Sequence, residues 1–416
     1  MVKTRDEIRF ICQRFFPELI STGQTLTELC ERLVQAGVAV NVFCGRPVIL
    51  HRKENIAESE EYQGINIERL WSTRFSKLSL LGRITNQLTF AFSVFFSLLF
   101  SKEKCPLMVT TNPPFLPFLC VLATRFKSRK MSLLVFDLYP QTLEALGVLR
   151  HGGFIAFCWR QVNRFVFTSV DSIITIGRCM QEKICIDLDE QEHKKVELIN
   201  IWADEQRVYP VEREANPYRK KWDIEDKFVL LYSGNMGRYH DIETILAAAE
   251  MLKEYNDIEF IFVGEGQKKA QTLKVIEQRK MKNCKVYDHV DREHLACSLS
   301  CADLGLVSLS PGHMGGSVPS KAFAMMASGA PLVAIMEEGA EVARVIAEFE
   351  CGKVIRSGDA LAFKEYVLGL YHDPEALVKL SMNSLKAFEA GYALTKVVGQ
   401  YRALIVMLNR SDSASL

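Results

Sequence analysis

Three glycine-bearing turns carry the clearest chemical signal in the chain. Ser233-Gly234-Asn235-Met236-Gly237 follows the apolar run FVLLY, and Val263-Gly264-Glu265-Gly266 follows IEFIF. Glycine after a strand lets the backbone turn tightly and approach a ligand. The next helix N-terminus then offers unpaired N–H groups and a positive dipole end to phosphate. A third turn, Gly315-Gly316-Ser317-Val318-Pro319-Ser320-Lys321, leads into AFAMMASGAPLVA and sets Lys321 where a helix begins. None of these is a full G-x-G-x-x-G or P-loop. Taken alone, each is equally a plain strand-to-helix turn, and the third equally a capped helix with an exposed lysine. Two matching turns in one domain point to a nucleotide.

Composition narrows the class. At 416 residues the chain exceeds what one core usually supports, so two domains are expected. With 48% hydrophobic and 24% charged residues it is globular. A formal net charge of +1 gives no global case for nucleic acid, so any anion site is local. The 12 cysteines include no C-x-x-C pair and read as reduced, buried thiols of a cytosolic protein. The histidines show no metal-ligand spacing, and no G-x-S-x-G elbow occurs. The N-terminus lacks the apolar core of a signal peptide, and no run reaches the length of a membrane span.

One stretch comes near. Leu88–Phe100, LTFAFSVFFSLLF, is almost wholly apolar and flanked by Lys77, Arg83, Lys102 and Lys104. It reads as a buried core helix, with an alternative: a helix dipping into an anionic membrane surface. Arg125, Lys127, Arg129 and Lys130 suit the alternative and equally suit a solvated loop.

The elements that must position the turns alternate regularly. IRFICQRF, VAVNVFCG, LMVTTNPP, MSLLVFDLYP and DSIITIG are strand candidates, separated by helical patterns at 25–37, 88–100, from Phe115, and at 154–168. Continuous apolar strands between helices imply a parallel sheet. Residues 196–226 turn polar and carry Pro210 and Pro217, marking a boundary. The strand–helix alternation then restarts, with helices expected at 240–255, 268–281, 321–328 and 341–349. The expected division is a Rossmann-like acceptor domain over 1–205, a Rossmann-like donor domain over 206–388, and a final segment over 389–416. Ligands of such sheets bind beyond the strand C-termini.

From Asn235 to Pro331, the G-N-x-G, V-G-E-G, D-H-V and P-S-K segments and the tail A-S-G-x-P-L-V-A resemble glycosyltransferase family four. The first-half segments FFPELISTGQTLTELCERLVQAGVAVNVFCGRP, TTNPP and FDLYPQTLEALGVL are similar to its exopolysaccharide and lipopolysaccharide members. The resemblance implies the α/β GT-B fold, two Rossmann-like domains with parallel sheets facing across a cleft. It implies retaining transfer from a UDP- or GDP-sugar without a required metal or other cofactor. It also implies a glycan or polyprenyl-lipid acceptor, a cytoplasmic location with peripheral membrane contact as an option, and a last helix, 392–408, crossing back to the first domain. By resemblance, Gly23, with Thr22 and Gln24, falls in a first-domain loop near the donor phosphates. Gly234 and Asn235 form the phosphate turn, and Gly264 and Gly266 the second turn. His289 and Val290 hold the base, while Pro319, Ser320 and Lys321 lie near ribose and diphosphate.

The chain also departs from the family. A basic pair that many members place on the phosphates corresponds to Asn235 and His240, so Arg238 and Lys321 are the candidates to supply charge to the leaving diphosphate. The E-x7-E glutamates correspond to Gly316 and Ala324, which motivates an alternative: a weakened GT-B protein acting as a binding partner of another transferase. Asp137, at a strand end in VFDLYP, could bind the acceptor or act as base, or could simply be a helix N-cap or surface carboxylate. An NAD-linked enzyme is disfavoured because the first strand-to-helix turn lacks G-x-G-x-x-G.

Overall fold

The computed structural model describes residues 6–18, 22–47, 56–76, 79–125, 127 and 129–411. Lys77, one of the flanking cations, lies outside them. The chain divides into two compact units, 1–144 with 149–199 and 395–416, and 145–148 with 200–394.

In the first unit, strands β1 (Glu7–Ile11), β2 (Ala39–Gly45), β3 (Ser59–Tyr62), β4 (Ile65–Leu70), β5 (Leu107–Thr110), β6 (Met131–Val135), β7 (Ser172–Thr175) and β8 (Val196–Leu198) form one sheet. Its order is β3-β4-β2-β1-β5-β6-β7-β8, parallel except for the β3–β4 pair. Helices α1 (Thr22–Gln35), α2 (Leu80–Phe100), α3 (Leu116–Thr124), α4 (Gln141–Ala145), α5 (Phe154–Ser169) and α6 (Arg178–Ile186) connect the strands. Central strands such as LMVT and MSLLV are buried at every position, the mark of a sheet covered on both faces.

The second unit holds α7 (Pro217–Lys221), β9 (Phe228–Ser233), α8 (Ile242–Met251), β10 (Ile258–Val263), α9 (Lys269–Gln278), β11 (Cys284–Tyr287), α10 (Leu295–Leu299), β12 (Leu304–Ser308) and α11 (Lys321–Ala327). It continues through β13 (Leu332–Ile335), α12 (Glu341–Phe349), β14 (Gly352–Ile355), α13 (Ala360–Tyr371) and α14 (Pro374–Gly391). The fully parallel sheet has the order β11-β10-β9-β12-β13-β14. Its core centres on Leu230, Tyr232, Phe260, Phe262 and Phe363. The order reverses direction between β9 and β12, the switch point at which sheets of this kind take ligands beyond their strand ends. The last helix, α15 (Leu394–Ser411), lies almost wholly within the first unit. It buries Val397, Tyr401 and Ile405, and Asn409 Nδ2 donates to the Glu7 carbonyl at 2.9 Å.

Two readings of the sequence need correcting. Helix α2 begins at Leu80, eight residues before the apolar run. Ser79 caps it by accepting from the Gly82 N–H, and the buried Asn86 exchanges hydrogen bonds with the Phe75 backbone. These polar fastenings make the first two turns look unlike a core helix. Nor is α2 wholly buried: Phe92 is 49% and Phe100 77% exposed. Among the described residues no helix is long and apolar enough to cross a membrane.

Candidate functional site

In the second unit the two glycine turns are bonded to each other at the strand C-termini. Gly234 N donates to Val263 O at 2.9 Å, and Met236 N to Glu265 O at 2.7 Å. Gly264 has φ +129°, and a Cβ there would stand 2.3 Å from the Gly234 carbonyl oxygen. No side chain fits that gap. Gly264→Ala is therefore expected to cost roughly 2–3 kcal/mol, read as a lowered urea midpoint with an unchanged m value. Gly234, at φ +132°, faces the Lys321 side chain: a Cβ would meet its Cε at 3.4 Å.

Lys321 is the centre of this arrangement. It starts α11, lies half-buried, and sends its ammonium beneath the first turn. Its Nζ donates to the Tyr232 hydroxyl and, at 3.4 Å, to the Asn235 carbonyl. It also sits 3.9 Å from the centre of the Tyr232 ring. Tyr232 OH in turn donates to the Asn235 carbonyl at 2.9 Å. All these partners are neutral, and no carboxylate pairs with the ammonium among the described residues. Burial pushes the Lys321 ammonium down to about 7. A cation held this way gains strongly from an arriving anion.

His240, where the family resemblance implies a phosphate-binding basic residue, does not supply a charge. Its ring is buried, and Nδ1 donates to the Ser308 carbonyl at 2.7 Å, tying the loop after β9 to the end of β12. Burial, then the charge of Lys321, pushes it down to about 3, so it stays neutral and structural. This anchor also explains a second correction. The sequence runs the helix directly from His240, whereas α8 starts at Ile242 after an irregular loop. Asp241 caps α8 by accepting from Thr244 N at 2.9 Å, so this helix end is already partly occupied by its own chain.

Other candidates fall where the local structure allows. Arg238 lies exposed on the turn and makes no hydrogen bond or ion pair with described residues. Asn235 and His289 are exposed, while Val290 is buried just beyond β11. Gly266 has φ +145° and packs on the Met236 carbonyl. Lys269 pairs with Glu265 at 2.6 Å and Asp288 at 2.5 Å, fastening the second turn to the segment carrying His289. Pro319 is half-buried, and the exposed Ser320 hydroxyl does not cap α11. Sequence reasoning missed Tyr232, which reads as an ordinary strand residue. It also missed that His313 is buried with its Nε2 unpartnered among the described residues, as is the Ser308 hydroxyl. No local pattern signals any of the three.

In the first unit, Gly23 lies in the first turn of α1 and not in a loop. A Cβ there would sit 2.5 Å from the Glu18 carbonyl oxygen, so the Glu18 backbone closes directly over it. Asp137 follows β6, its N–H directed at Thr111 Oγ1, 3.4 Å away. It is not an N-cap: α4 starts at Gln141, and Thr142 N bonds to the Leu138 carbonyl. The carboxylate borders a pocket lined also by Thr111, Tyr139, Trp159 and Asn163. Trp159 stacks with Phe115 and Tyr139 at centroid distances of 4.7 and 6.0 Å. Burial pushes the Asp137 carboxyl up to about 6, and it has no side-chain hydrogen-bond partner among the described residues.

Comparison with known proteins agrees with this geometry. Residues 214–387 match the family model of glycosyl transferases group 1, and residues 22–185 that of the glycosyl transferase 4-like domain. WbjE of Pseudomonas aeruginosa, which carries a glycosyltransferase name, is 29% identical over 71% of this chain and 73% of its own. WcaI of Escherichia coli, described as a colanic acid biosynthesis glycosyl transferase, is 25% identical over 80% and 84%. Among solved structures, the sucrose-phosphate synthase of Thermosynechococcus elongatus covers 98% of this chain and 100% of its own with a TM-score of 0.77 at 16% identity. HepE of Anabaena in complex with UDP covers 96% and 100% with a TM-score of 0.71 at 11% identity. The two family matches, one over each half, and the two parallel sheets place this chain among the family-four glycosyltransferases of GT-B fold.

Proposed function

We propose that the chain transfers a sugar from a nucleotide-diphosphate sugar, with retention of configuration, to a glycan or lipid-linked acceptor in surface polysaccharide or glycolipid synthesis. The observation that carries this is Lys321: a half-buried ammonium with only neutral partners, beside two interlocked glycine turns at the switch point of a parallel sheet. HepE, of like fold, was solved with UDP and with UDP-glucose, and WcaI is described in colanic acid synthesis.

In this reading the turns carrying Gly234, Asn235, Gly264 and Gly266 receive the diphosphate, through N–H groups other than those of Gly234, Met236 and Gly264, which bond to the Val263, Glu265 and Tyr287 carbonyls. Lys321, helped by the exposed charge of Arg238, balances the negative charge that develops as the bond from anomeric carbon to diphosphate oxygen breaks. The acceptor hydroxyl attacks the same face of the sugar, and its proton passes to the departing diphosphate oxygen. His289 and Val290 border the base; Pro319 and Ser320 border the ribose. Asp137 holds the acceptor hydroxyl. No step calls for a metal, since Lys321 and Arg238 supply the positive charge.

The test is titration of the full chain with UDP, GDP and ADP by calorimetry, followed by nucleotide release from the matching sugars and the anomeric coupling constant of the product. Binding with a retained anomer supports the proposal. No binding of any nucleotide would end it. Ala324, at a position where the family resemblance implies a glutamate, favours a second reading as a non-catalytic partner. Nucleotide binding without any sugar turnover would select that reading.

A further inference from the structure

Helix α2 is apolar on two opposite sides. Phe90, Val94 and Leu98 face the core and are fully buried or nearly so. On the other side Leu81, Ile84, Leu88, Phe92, Phe96 and Phe100 recur every three or four residues, 38–77% exposed. The stripe runs the full 21 residues, about 30 Å at the helical rise. Single exposed apolar residues are ordinary, but a continuous stripe over five turns marks a surface that meets something apolar. The solvent side of a surface helix is normally polar.

The neighbouring helices extend this surface. α3 packs against α2, and α5 packs against α3. At its start α5 exposes Phe154 at 81%, Ile155 at 63% and Phe157 at 55%.

Charge decides what covers it. α2, α3 and α5 contain no Asp or Glu. Arg83 on α2, Lys102 and Lys104 beyond it, Arg125 beyond α3 and Arg150 before α5 are exposed. The exposed Glu103 between the two lysines is engaged by Arg9. Arg129 and Lys130 do not join this field: Arg129 is buried on the Glu103 carbonyl, and Lys130 pairs with Asp171. A second copy of this face would bring cations against cations. An anionic lipid surface meets both the apolar stripe and the cations at its ends.

We propose that α2, with the start of α5, lies in the plane of an anionic bilayer, its stripe at the boundary of headgroups and acyl chains. The helix runs along the surface and does not cross. This rests on the first unit alone and stands whether or not the donor assignment holds.

Flotation of the full-length protein, without donor, tests it. Vesicles of mixed phosphatidylglycerol and phosphatidylcholine are compared with phosphatidylcholine alone, at low and high salt. The expected result is at least tenfold tighter binding to the anionic vesicles, weakened by salt. Phe92→Ser with Phe96→Ser should reduce binding at least tenfold more, while Leu361→Ser with Val378→Ser, at exposed apolar positions of the second unit, should leave it unchanged. Circular dichroism confirms that each variant folds. Equal flotation of the Phe92/Phe96 variant overturns the proposal, as does failure of the native protein to bind. Self-association without vesicles that the Phe92/Phe96 variant abolishes would also overturn it, assigning the stripe to a second copy.

Discussion

Lys321→Met is expected to lower kcat/KM on the order of 100–1,000-fold while making the ligand-free protein more stable near neutral pH. The loss follows from removing a pre-positioned donor to a charge that develops during reaction. The gain follows from the native partners. In the ligand-free site the ammonium has, among the described residues, only the Tyr232 hydroxyl and ring and the Asn235 carbonyl, and burial holds it at about 7. The native group titrates below its unfolded value of 10.5, so between these values the unfolded chain binds more protons. Stability thus rises with pH through that window, and the cost of the buried charge is fully present below about 7. Methionine removes that cost, so thermal denaturation at pH 6 should show a higher Tm for the variant, and the two proteins should converge at alkaline pH.

Nucleotide affinity should show the complementary dependence. Diphosphate binds the charged form, so the native Kd for the nucleoside diphosphate should rise about tenfold per pH unit above 7, until the lysine of the complex itself titrates. In Lys321→Met this dependence should vanish. Calorimetric titration from pH 6 to pH 9 reads both. A variant with unchanged Kd and unchanged pH slope would remove Lys321 from the donor site.

Much of the framework producing this site is legible in the sequence, because buried parallel strands write themselves as unbroken apolar runs. FVLLYS and IEFIFV became β9 and β10, and the glycines after them became turns whose φ values glycine alone accepts easily. What could not be read depends on tertiary contact. His240 reads as the start of a helix, yet its bond to Ser308, 68 residues on, keeps it neutral and delays α8. The start of α2 was hidden because Asn86 and Thr89, polar residues inside the helix, spend their hydrogen bonds on the segment at Thr73 and Phe75. Lys321 reads either as a charge for the diphosphate or as an exposed lysine at a helix start. Only the fold places Tyr232 and Gly234 against its side chain.

Asp137→Asn should separate stability from function in the first unit. The carboxyl stands at the end of β6 beside the stacked Tyr139 and Trp159, without a side-chain partner among the described residues, and burial raises it from 3.8 to about 6. Here the native state binds more protons than the unfolded chain between those values. Stability therefore falls as pH rises through the window, and the full cost is present above about 6. Asparagine keeps the shape and removes the charge. The variant should gain up to about 2 kcal/mol at pH 8 and progressively less toward pH 4, as read from urea midpoints. If the ionised carboxylate holds the acceptor hydroxyl, the same variant should lose about 100-fold or more in kcat/KM. The native profile should then show an acid limb near pH 6 that the variant lacks. Higher stability with untouched activity would make Asp137 a buried carboxylate with no part in transfer. Lost activity with the acid limb still present would place the titrating group elsewhere. The joint outcome, a more stable and less active protein, is expected of a group whose unpaired burial is retained for what it does to the acceptor.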